Sequence, residues 1–477
     1  MAPEQPNLLF IMADQFRDAA LGFRDADPTY TPNLDGLARE SADVAHAVSS
    51  YPVCSPHRAM MMTGQHPHRN GVPVNINSNT DAGLPPDIDT WSRVLQESGY
   101  QTGYIGKWHL EAVTAEDAIW GEGFREGAVW DAYSPPDRRH GFSFWYSYGA
   151  ADNHLRPHYW IGDAPREEKT IVEQWSVEHE TDVAVDFLRT VDTSGGPFAL
   201  VVSHNPPHQP FDQAPTTFRD RYTALTPEEL LTRPNVDLET PAGREAVEKA
   251  PDYFSTVSAV DEQIGRLLAA LEETGQRENT IVIFTSDHGM QLGSHGLMYK
   301  NVPWEESMSL PFLIRWPGHI AAGRNERTLI GSVDVAPTLL GLTGLSGKIP
   351  DAMQGTDVSA DLVDRTPSGS AGGGSALYYG PPAPDGGPGM RGLRTTDSKL
   401  LVDCRPDPRR PGRYLLTPRL FDLQADPYEM RHLAAMEDAR GKEYCVQLLH
   451  ELEVAGDTWP ALEDLRAMVA DLDRWSP

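Results

Sequence analysis

The chain is poor in cysteine, poor in positive charge and without a long apolar run. Three cysteines, Cys54, Cys404 and Cys445, are spread over 477 residues. They lie too far apart in sequence to read as a disulfide framework or a zinc-type cluster. No run approaches the ~18 apolar residues of a membrane-spanning helix, and mean hydropathy is −0.45. Lys and Arg number 40 against 69 Asp and Glu, for a formal net charge of −29. Such a surface repels nucleic acid and anionic lipid at long range, so neither is expected as a partner. It also repels anionic substrates, and an anion site here needs concentrated cations or a metal. The opening MAPEQP lacks the basic segment and apolar run of a secretory leader, which points to the cytoplasm.

The length suits two domains, or one large α/β body with an appendage. Three apolar runs, 7-NLLFIMA-13, 198-FALVVS-203 and 280-TIVIFTS-286, read as buried strands. Each ends at polar residues, the pattern of a largely parallel sheet with chemistry beyond its strand ends. Thr31-Pro32 opens a helix over TPNLDGLARES, with a cap residue and a first-turn proline. In 253–273 one helical face carries Val257, Val260, Ile264, Leu267, Leu268 and Leu271. A shorter helix over 90–100 stops at Gly99. Antiparallel or irregular insertions are expected over 111–170. The Gly/Pro/Ser-rich 366–389 is expected to hold no regular element. Short strands follow it, then two helices near 435–452 and 460–474.

Polar residues of chemical interest gather in five stretches. Asp14-Gln15 follows the first strand. Cys54 and Arg58 lie in 52-PVCSPHRAMMMTG-64. Lys107 and His109 lie in 99-GYQTGYIGKWHL-110, and His208 in 203-SHNPPHQP-210. Asp287, His288 and Lys300 lie in 285-TSDHGMQLGSHGLMYK-300. Asp14, Gln15, Asp287 and His288 offer an oxygen-rich donor set for a hard divalent cation. With a helix beginning after Pro56, Arg58 points back toward Cys54. There it can hold an anion or lower the thiol pKa. Helix-start amides would add donors. His109 and His208 titrate in the range suited to acid–base work. His66, His68 and His295 read as structural, and Met60, Met61 and Met62 as packing. Tyr148, Asn153, His154 and Trp160 sit in a variable region and can line a pocket, although packing is their ordinary role. These residues reach a metal-assisted hydrolase of an anionic ester, or a thiolate nucleophile lacking an evident paired base.

The motifs in their order resemble the type I sulfatases of the alkaline-phosphatase-like superfamily. CSPHR is similar to that family's C-x-P-x-R maturation motif, and GYQTGYIGKWHL to its second signature. NLLFIMADQ, TPNLDGLA, TSDHG with GSHGLMYK, and LFDLQADPYEMRHLA also match. The resemblance implies an α/β, alkaline-phosphatase-like sandwich. Its large, mostly parallel mixed sheet is flanked by helices, with a smaller C-terminal α+β domain. Residues 1–365 would be catalytic, 366–390 a loop or linker, and 391–477 the small domain.

It further implies that a formylglycine-generating enzyme converts Cys54 to formylglycine. One hydroxyl of the hydrate attacks the sulfur of a small organic or carbohydrate sulfate, with Asp287 as base. A covalent sulfo-enzyme intermediate follows. Arg58, Lys107 and Lys300 stabilise the transferring group, and His208 works with lysine at the leaving oxygen. His109 helps the second hydroxyl expel sulfate. One divalent cation, Ca2+ or Mn2+ ahead of Mg2+, would be held by Asp14, Gln15, residue 54, Asp287 and His288. A homo-oligomer is compatible with this class.

Two positions depart from the family. Gln15 stands where many members have aspartate, and His288 where many have asparagine. The pair resembles the branch of choline sulfatases and phosphonate monoester hydrolases, which makes a phosphonate monoester or phosphodiester the alternative substrate. His57 replaces a common small residue and leaves C-x-P-x-R intact; it suits either continued maturation or local packing.

Overall fold

The computed structural model describes residues 5–120, 124–363, 374–382 and 387–472. In chain order its strands are β1 (Asn7–Ala13), β2 (Ala42–Val48), β3 (Gln101–Lys107), β4 (Phe124–Arg125), β5 (Ala128–Val129), β6 (Phe144–Tyr148), β7 (His158–Ile161), β8 (Thr170–Ile171), β9 (Phe198–His204), β10 (Thr280–Thr285), β11 (Phe312–Arg315) and β12 (Gly323–Gly331). They are followed by β13 (Ala376–Tyr379), β14 (Arg391–Arg394), β15 (Ser398–Pro406), β16 (Tyr414–Asp422) and β17 (Leu433–Ala434).

Ten strands form one mixed sheet in the order β12-β2-β11-β10-β1-β9-β3-β6-β7-β8. Its centre, β10-β1-β9-β3-β6, is parallel throughout. Strand β11 runs against both neighbours, and β7 and β8 close the far edge antiparallel.

The continuous apolar runs are explained by this placement. Leu9, Ile11 and Ala13 of β1 pack on one face, while Leu8, Phe10 and Met12 pack on the other. Both faces are covered, so the strand has no polar side. The first face meets the helices Ser176–Thr190 and Pro241–Glu273; the second meets Trp91–Glu97 and Val335–Leu342. Complete burial of one such side chain is worth roughly 1.5–3 kcal/mol.

The helix anticipated over 253–273 starts earlier, at Pro241. Thr240 caps it through Gly243 N, and Pro251 lies inside it. The insertion region also departs from expectation. Strand β6 is parallel to β3 and extends the main sheet, while β4 and β5 form a separate antiparallel hairpin.

A second, antiparallel sheet runs β13-β14-β15-β16-β17. The helices Ala439–Ala455 and Leu462–Asp471 pack on it. The Gly/Pro/Ser-rich stretch is corrected here. Ala376–Tyr379 is a buried edge strand, because its four residues ALYY are apolar or aromatic between glycine- and proline-rich sequence. Residues 364–373 and 383–386 of that region lie outside the described residues.

Candidate active site

Four adjacent parallel strands, β10, β1, β9 and β3, deliver the candidate groups from their carboxyl ends. Asp14 and Gln15 follow β1, and Asp287 and His288 follow β10. Lys107 ends β3, and the Asn205–His208 loop follows β9. Crevices at such strand ends are where open α/β sheets bind ligands. Gln15 and His109 hold left-handed backbone angles, φ 65° and 55°. These are uncommon for side-chain-bearing residues and are associated with functional sites.

Cys54 arrives from the opposite direction, on the first residue of the Cys54–Thr63 helix. The helix therefore begins at the cysteine itself and not after Pro56. Proline is tolerated in a first turn, where its missing N–H has no helical partner. Gly64, at φ 62°, ends the helix in the left-handed conformation that glycine adopts freely. All ten helical residues are buried. Met61 and Met62 pack beneath the main sheet, while Met60 packs into the C-terminal core. The helix is thus wedged between the two units, with Cys54 and Arg58 one turn apart.

Around Cys54 Sγ lie His288 Nε2 at 3.4 Å, Lys300 Nζ at 3.5 Å, Asp14 Oδ1 at 3.7 Å and Lys107 Nζ at 3.8 Å. Arg58 spans the two acids. Its Nε donates to Asp287 Oδ2 at 3.0 Å and its Nη2 to Asp14 Oδ2 at 3.2 Å. Its Nη1 donates to the Lys107 carbonyl and to Ser203 Oγ, both at 2.9 Å. Lys107 Nζ donates to Asp14 Oδ2 at 2.7 Å and to Asn205 Oδ1 at 3.0 Å. His109 Nε2 meets the Ile76 carbonyl at 2.9 Å, which assigns its proton there. Nδ1 is then an acceptor, and Cys54 is a neighbour of this ring. His208 Nδ1 meets the Gln209 carbonyl at 2.8 Å, leaving its Nε2 as the acceptor. The structure therefore gathers Asp14, Cys54, Arg58, Lys107, His109, His208, Asp287, His288 and Lys300 about one centre, with Gln15 beside Asp287.

Burial and Asp14 would raise the Cys54 thiol, but Lys107 and Lys300 outweigh them and hold it well below the usual range. Burial likewise opposes ionisation of Asp14, which the same lysines hold well below the carboxylate range. Asp287 is pushed up to about 6 by burial and by Asp14. Burial would lower His288, yet Asp287 beside it carries the imidazole up to about 9. His208 is driven well down by burial, Lys300 and Lys107.

The donor set fits a divalent cation. Oxygens of Asp14 and Asp287, Cys54 Sγ and a His288 nitrogen lie within 4.8 Å of one another. Gln15 Oε1 is buried and has no hydrogen-bond partner. Two close buried carboxylates and an unsatisfied amide oxygen are the surroundings that a hard cation relieves.

A second group, His295, Glu306 and Glu429, also lies within that span. It is already neutralised. Lys399 Nζ sits 2.7 Å from Glu429, and Arg233 Nη2 sits 2.8 Å from Glu306. His295 stacks on Trp304 with ring centroids 4.2 Å apart. His68 pairs with Asp457 at 2.7 Å.

His57 faces away from the reaction centre. Its Nδ1 lies 2.9 Å from Ser49 Oγ and 3.0 Å from Ser332 Oγ, the packing side of the alternative left by its sequence. Tyr148 and Trp160 belong to the core beside the sheet. His154 Nε2 bonds the His208 carbonyl at 3.1 Å and so braces that loop. Asn153 is exposed, and its Oδ1 accepts from Arg156 N at 3.2 Å. Three contributors escaped the sequence reading: Asn205, Asp152 and Arg125. Asn205 lies within SHNPPHQP and was detectable as the polar residue nearest the strand end. Asp152 and Arg125 come from the insertion and carried no signal.

The sheet, its flanking helices and the strand-end centre define an alkaline-phosphatase-like hydrolase. The sulfatase family model matches residues 6–345, and a model of the N-sulphoglucosamine sulphohydrolase C-terminal region matches 293–455. The chain belongs to the sulfatase family, whose reaction class is sulfuric-ester hydrolysis.

An endo-4-O-sulfatase of Bacteroides thetaiotaomicron is 36% identical across 94% of this chain and 91% of its own length. An ulvan-active sulfatase of Formosa agariphila is 34% identical over 90% of this chain and 77% of its own. A choline-sulfatase of Rhizobium meliloti is 30% identical over 99% and 88%. A sulfatase-type structure from Bacteroides fragilis superposes with a TM-score of 0.87 at 36% identity, covering 96% of this chain and 97% of that one. No described helix is long and apolar enough to cross a membrane.

Proposed function

We propose that the protein hydrolyses the sulfate ester of a carbohydrate or another small organic molecule, using Cys54 after its conversion to formylglycine. One observation carries this reading. Cys54 heads a helix and faces Lys107, Lys300, His288 and Asp14 within 3.8 Å, with Arg58 one turn behind. That arrangement supports an anion pocket around residue 54, with His288, whose Nε2 lies 3.4 Å from Sγ, read as a metal ligand and not as the base of a thiolate. The endo-4-O- and ulvan-active relatives favour a saccharide.

Asp14, Gln15, Asp287 and His288, together with residue 54, would hold one divalent cation, Ca2+ or Mn2+. When bound, it would offset the two carboxylates and withdraw charge from the sulfate oxygens. Arg58, Lys107 and Lys300 orient the sulfate, and Asp287 removes a proton from the attacking hydroxyl of the formylglycine hydrate. The hydroxyl oxygen bonds to sulfur as the ester oxygen leaves. His208 offers only an acceptor nitrogen in its neutral form, so Lys300 supplies the proton that the leaving oxygen needs. His109 Nδ1 then takes the proton of the second hydroxyl. The C–O bond to sulfate breaks, the aldehyde is restored and sulfate departs.

The Gln15/His288 pair, which resembles the branch holding phosphonate monoester hydrolases, supports a second substrate class, phosphonate monoesters or phosphodiesters. The deciding experiment compares matched sulfate, phosphate and phosphonate esters on enzyme coexpressed with a formylglycine-generating enzyme. Peptide mass spectrometry across Cys54 measures conversion in the same sample. Phosphoesterase efficiency equal to or above sulfatase efficiency would overturn the sulfate assignment. Fully converted enzyme with no turnover of any ester would favour a binding protein.

A further inference from the structure

The β4–β5 hairpin stands apart from both sheets, yet it reaches the reaction centre. Its turn uses left-handed angles at Glu126 and Gly127, φ 52° and 78°. It is anchored by Ser78, which donates through its N–H to the Val129 carbonyl at 2.8 Å and accepts from Val129 N at 2.9 Å. The same loop supplies the Ile76 carbonyl to His109 and the Asn75 side chain to Ser55 N. Phe124 at the hairpin is 72% exposed, whereas the neighbouring Arg125 side chain is only 29% exposed.

Arg125 is turned inward. It lies within electrostatic reach of Cys54 and Asp14, and both His208 and His154 feel its charge. Its guanidinium carbon sits 4.8 Å over the Trp130 ring. Trp130 is fixed in turn by a 3.1 Å bond from Nε1 to the Arg125 carbonyl and by edge contact with His109, centroids 6.1 Å apart. A guanidinium whose face is covered by indole presents its N–H edges, the geometry that takes a carboxylate or sulfate in bidentate fashion.

The partner of Arg125 is Asp152. Asp152 does not depend on that pairing. Its Oδ1 accepts from Asn205 Nδ2 at 2.9 Å and lies 3.5 Å from His208 Nδ1. An incoming anion can therefore exchange for Asp152 on Arg125 without leaving a bare buried carboxylate. Arg58, Lys107 and Lys300 are engaged with Asp14, Asp287 and Cys54. Arg125 belongs to a separate charge position outside that set.

We propose that Arg125 is a specificity-determining residue, selecting sulfated saccharides that carry a second anionic group, a carboxylate or another sulfate, close to the scissile one. The inference rests on the sulfatase reading and adds the substrate class. It also answers the charge problem, since a chain of net charge −29 needs a local cation to admit a doubly anionic ligand.

The test uses fully converted, metal-loaded enzyme and its Arg125→Gln and Arg125→Lys variants. The probes are a monosulfated N-acetylhexosamine, the same residue linked to a hexuronate, and the disulfated hexosamine, each as 4-O and 6-O isomers. The unaltered enzyme should prefer a doubly anionic probe. Arg125→Gln should lower that preference, as a ratio of kcat/KM values, by about tenfold or more, with KM carrying the change. Arg125→Lys should retain part of it. The probe that loses most identifies the second anion as carboxylate or sulfate.

No initial preference, or an equal loss on all probes, overturns the proposal and makes Arg125 a staple between the hairpin and Asp152. Turnover of the saccharide sulfate probes by the unaltered, fully converted enzyme separates the two levels. Its absence on every probe and on 4-nitrophenyl sulfate defeats the sulfatase reading, whereas turnover with a flat ratio defeats only the role of Arg125.

Discussion

Asn205→Ala tests whether the centre depends on aimed charge rather than on its mere presence. Asn205 Oδ1 accepts from Lys107 Nζ at 3.0 Å, while Nδ2 donates to the Ala151 carbonyl at 3.0 Å and Asp152 Oδ1 at 2.9 Å. Alanine leaves Lys107 with Asp14 at 2.7 Å and the Cys54 sulfur at 3.8 Å, so the ammonium is drawn toward the carboxylate and away from the transferring group. A hydrogen bond to a charged group is worth about 1.5–3 kcal/mol. If that energy is expressed in the transition state, kcat/KM falls roughly 10- to 150-fold. The assay is hydrolysis of 4-nitrophenyl sulfate, normalised to the converted fraction of Cys54. A melting curve confirms that the fold survives. Asn205→Asp provides the contrast. It keeps an acceptor for Lys107 but sets a second carboxylate against Asp152, so it should also lose activity while lowering the melting temperature further. An Asn205→Ala enzyme within about threefold of the parent kcat/KM, a change of under ~1 kcal/mol, would refute the aiming argument.

Three further expectations follow from the same geometry. Burial holds His57 down to about 3, against 6.5 for a free imidazole. Above pH 6.5 it is neutral in folded and unfolded chains alike. Below that, the unfolded chain alone takes the proton, so stability falls by about 1.4 kcal/mol per pH unit until the folded value is reached. His57→Gln should remove this contribution from urea titrations between pH 7 and 5 while leaving Cys54 conversion intact; identical pH slopes would sink the assignment. Dialysis against a chelator should abolish ester hydrolysis and lower the melting temperature, and Ca2+ or Mn2+ should restore both, because the proposed cation is a counter-charge to Asp14 and Asp287 additional to Arg58 and Lys107. Unchanged activity after verified metal removal would count against the proposed centre. Met60→Ala should cost about 2–5 kcal/mol in urea unfolding, since Met60 is fully buried in the C-terminal core. A cost below ~1 kcal/mol would mean that the nucleophile helix is not wedged as described.

What was readable in the amino-acid sequence is what local chemistry dictates. The runs NLLFIMA and TIVIFTS are apolar throughout because β1 and β10 are covered on both faces, and the acids after them mark the carboxyl edge of the sheet. Arg58 was readable as turned toward Cys54 from a helix placed after Pro56, although the helix begins at Cys54 itself. Where a residue's meaning depends on a distant partner, the pattern is silent. His57 cannot be assigned to maturation or to packing until Ser49 and Ser332 are seen to enclose it. Ala376–Tyr379 is hidden by its glycine-rich flanks until β14 supplies its hydrogen bonds.

Arg125 is the sharpest case. Nothing adjacent to it in the chain distinguishes it from a surface arginine. Its placement follows from a two-strand hairpin held by Ser78, a ring supplied by Trp130, and an acid on the far side of β6. In the proposed mechanism Asp14, Lys107 and Asp287 stand at strand ends, where the sequence marks them, and Cys54 and Arg58 come from the helix that faces those ends. The proposed selectivity residue comes instead from the insertion between β3 and β9, so substitutions at the hairpin leave the strands that hold Asp14, Lys107 and Asp287 in place.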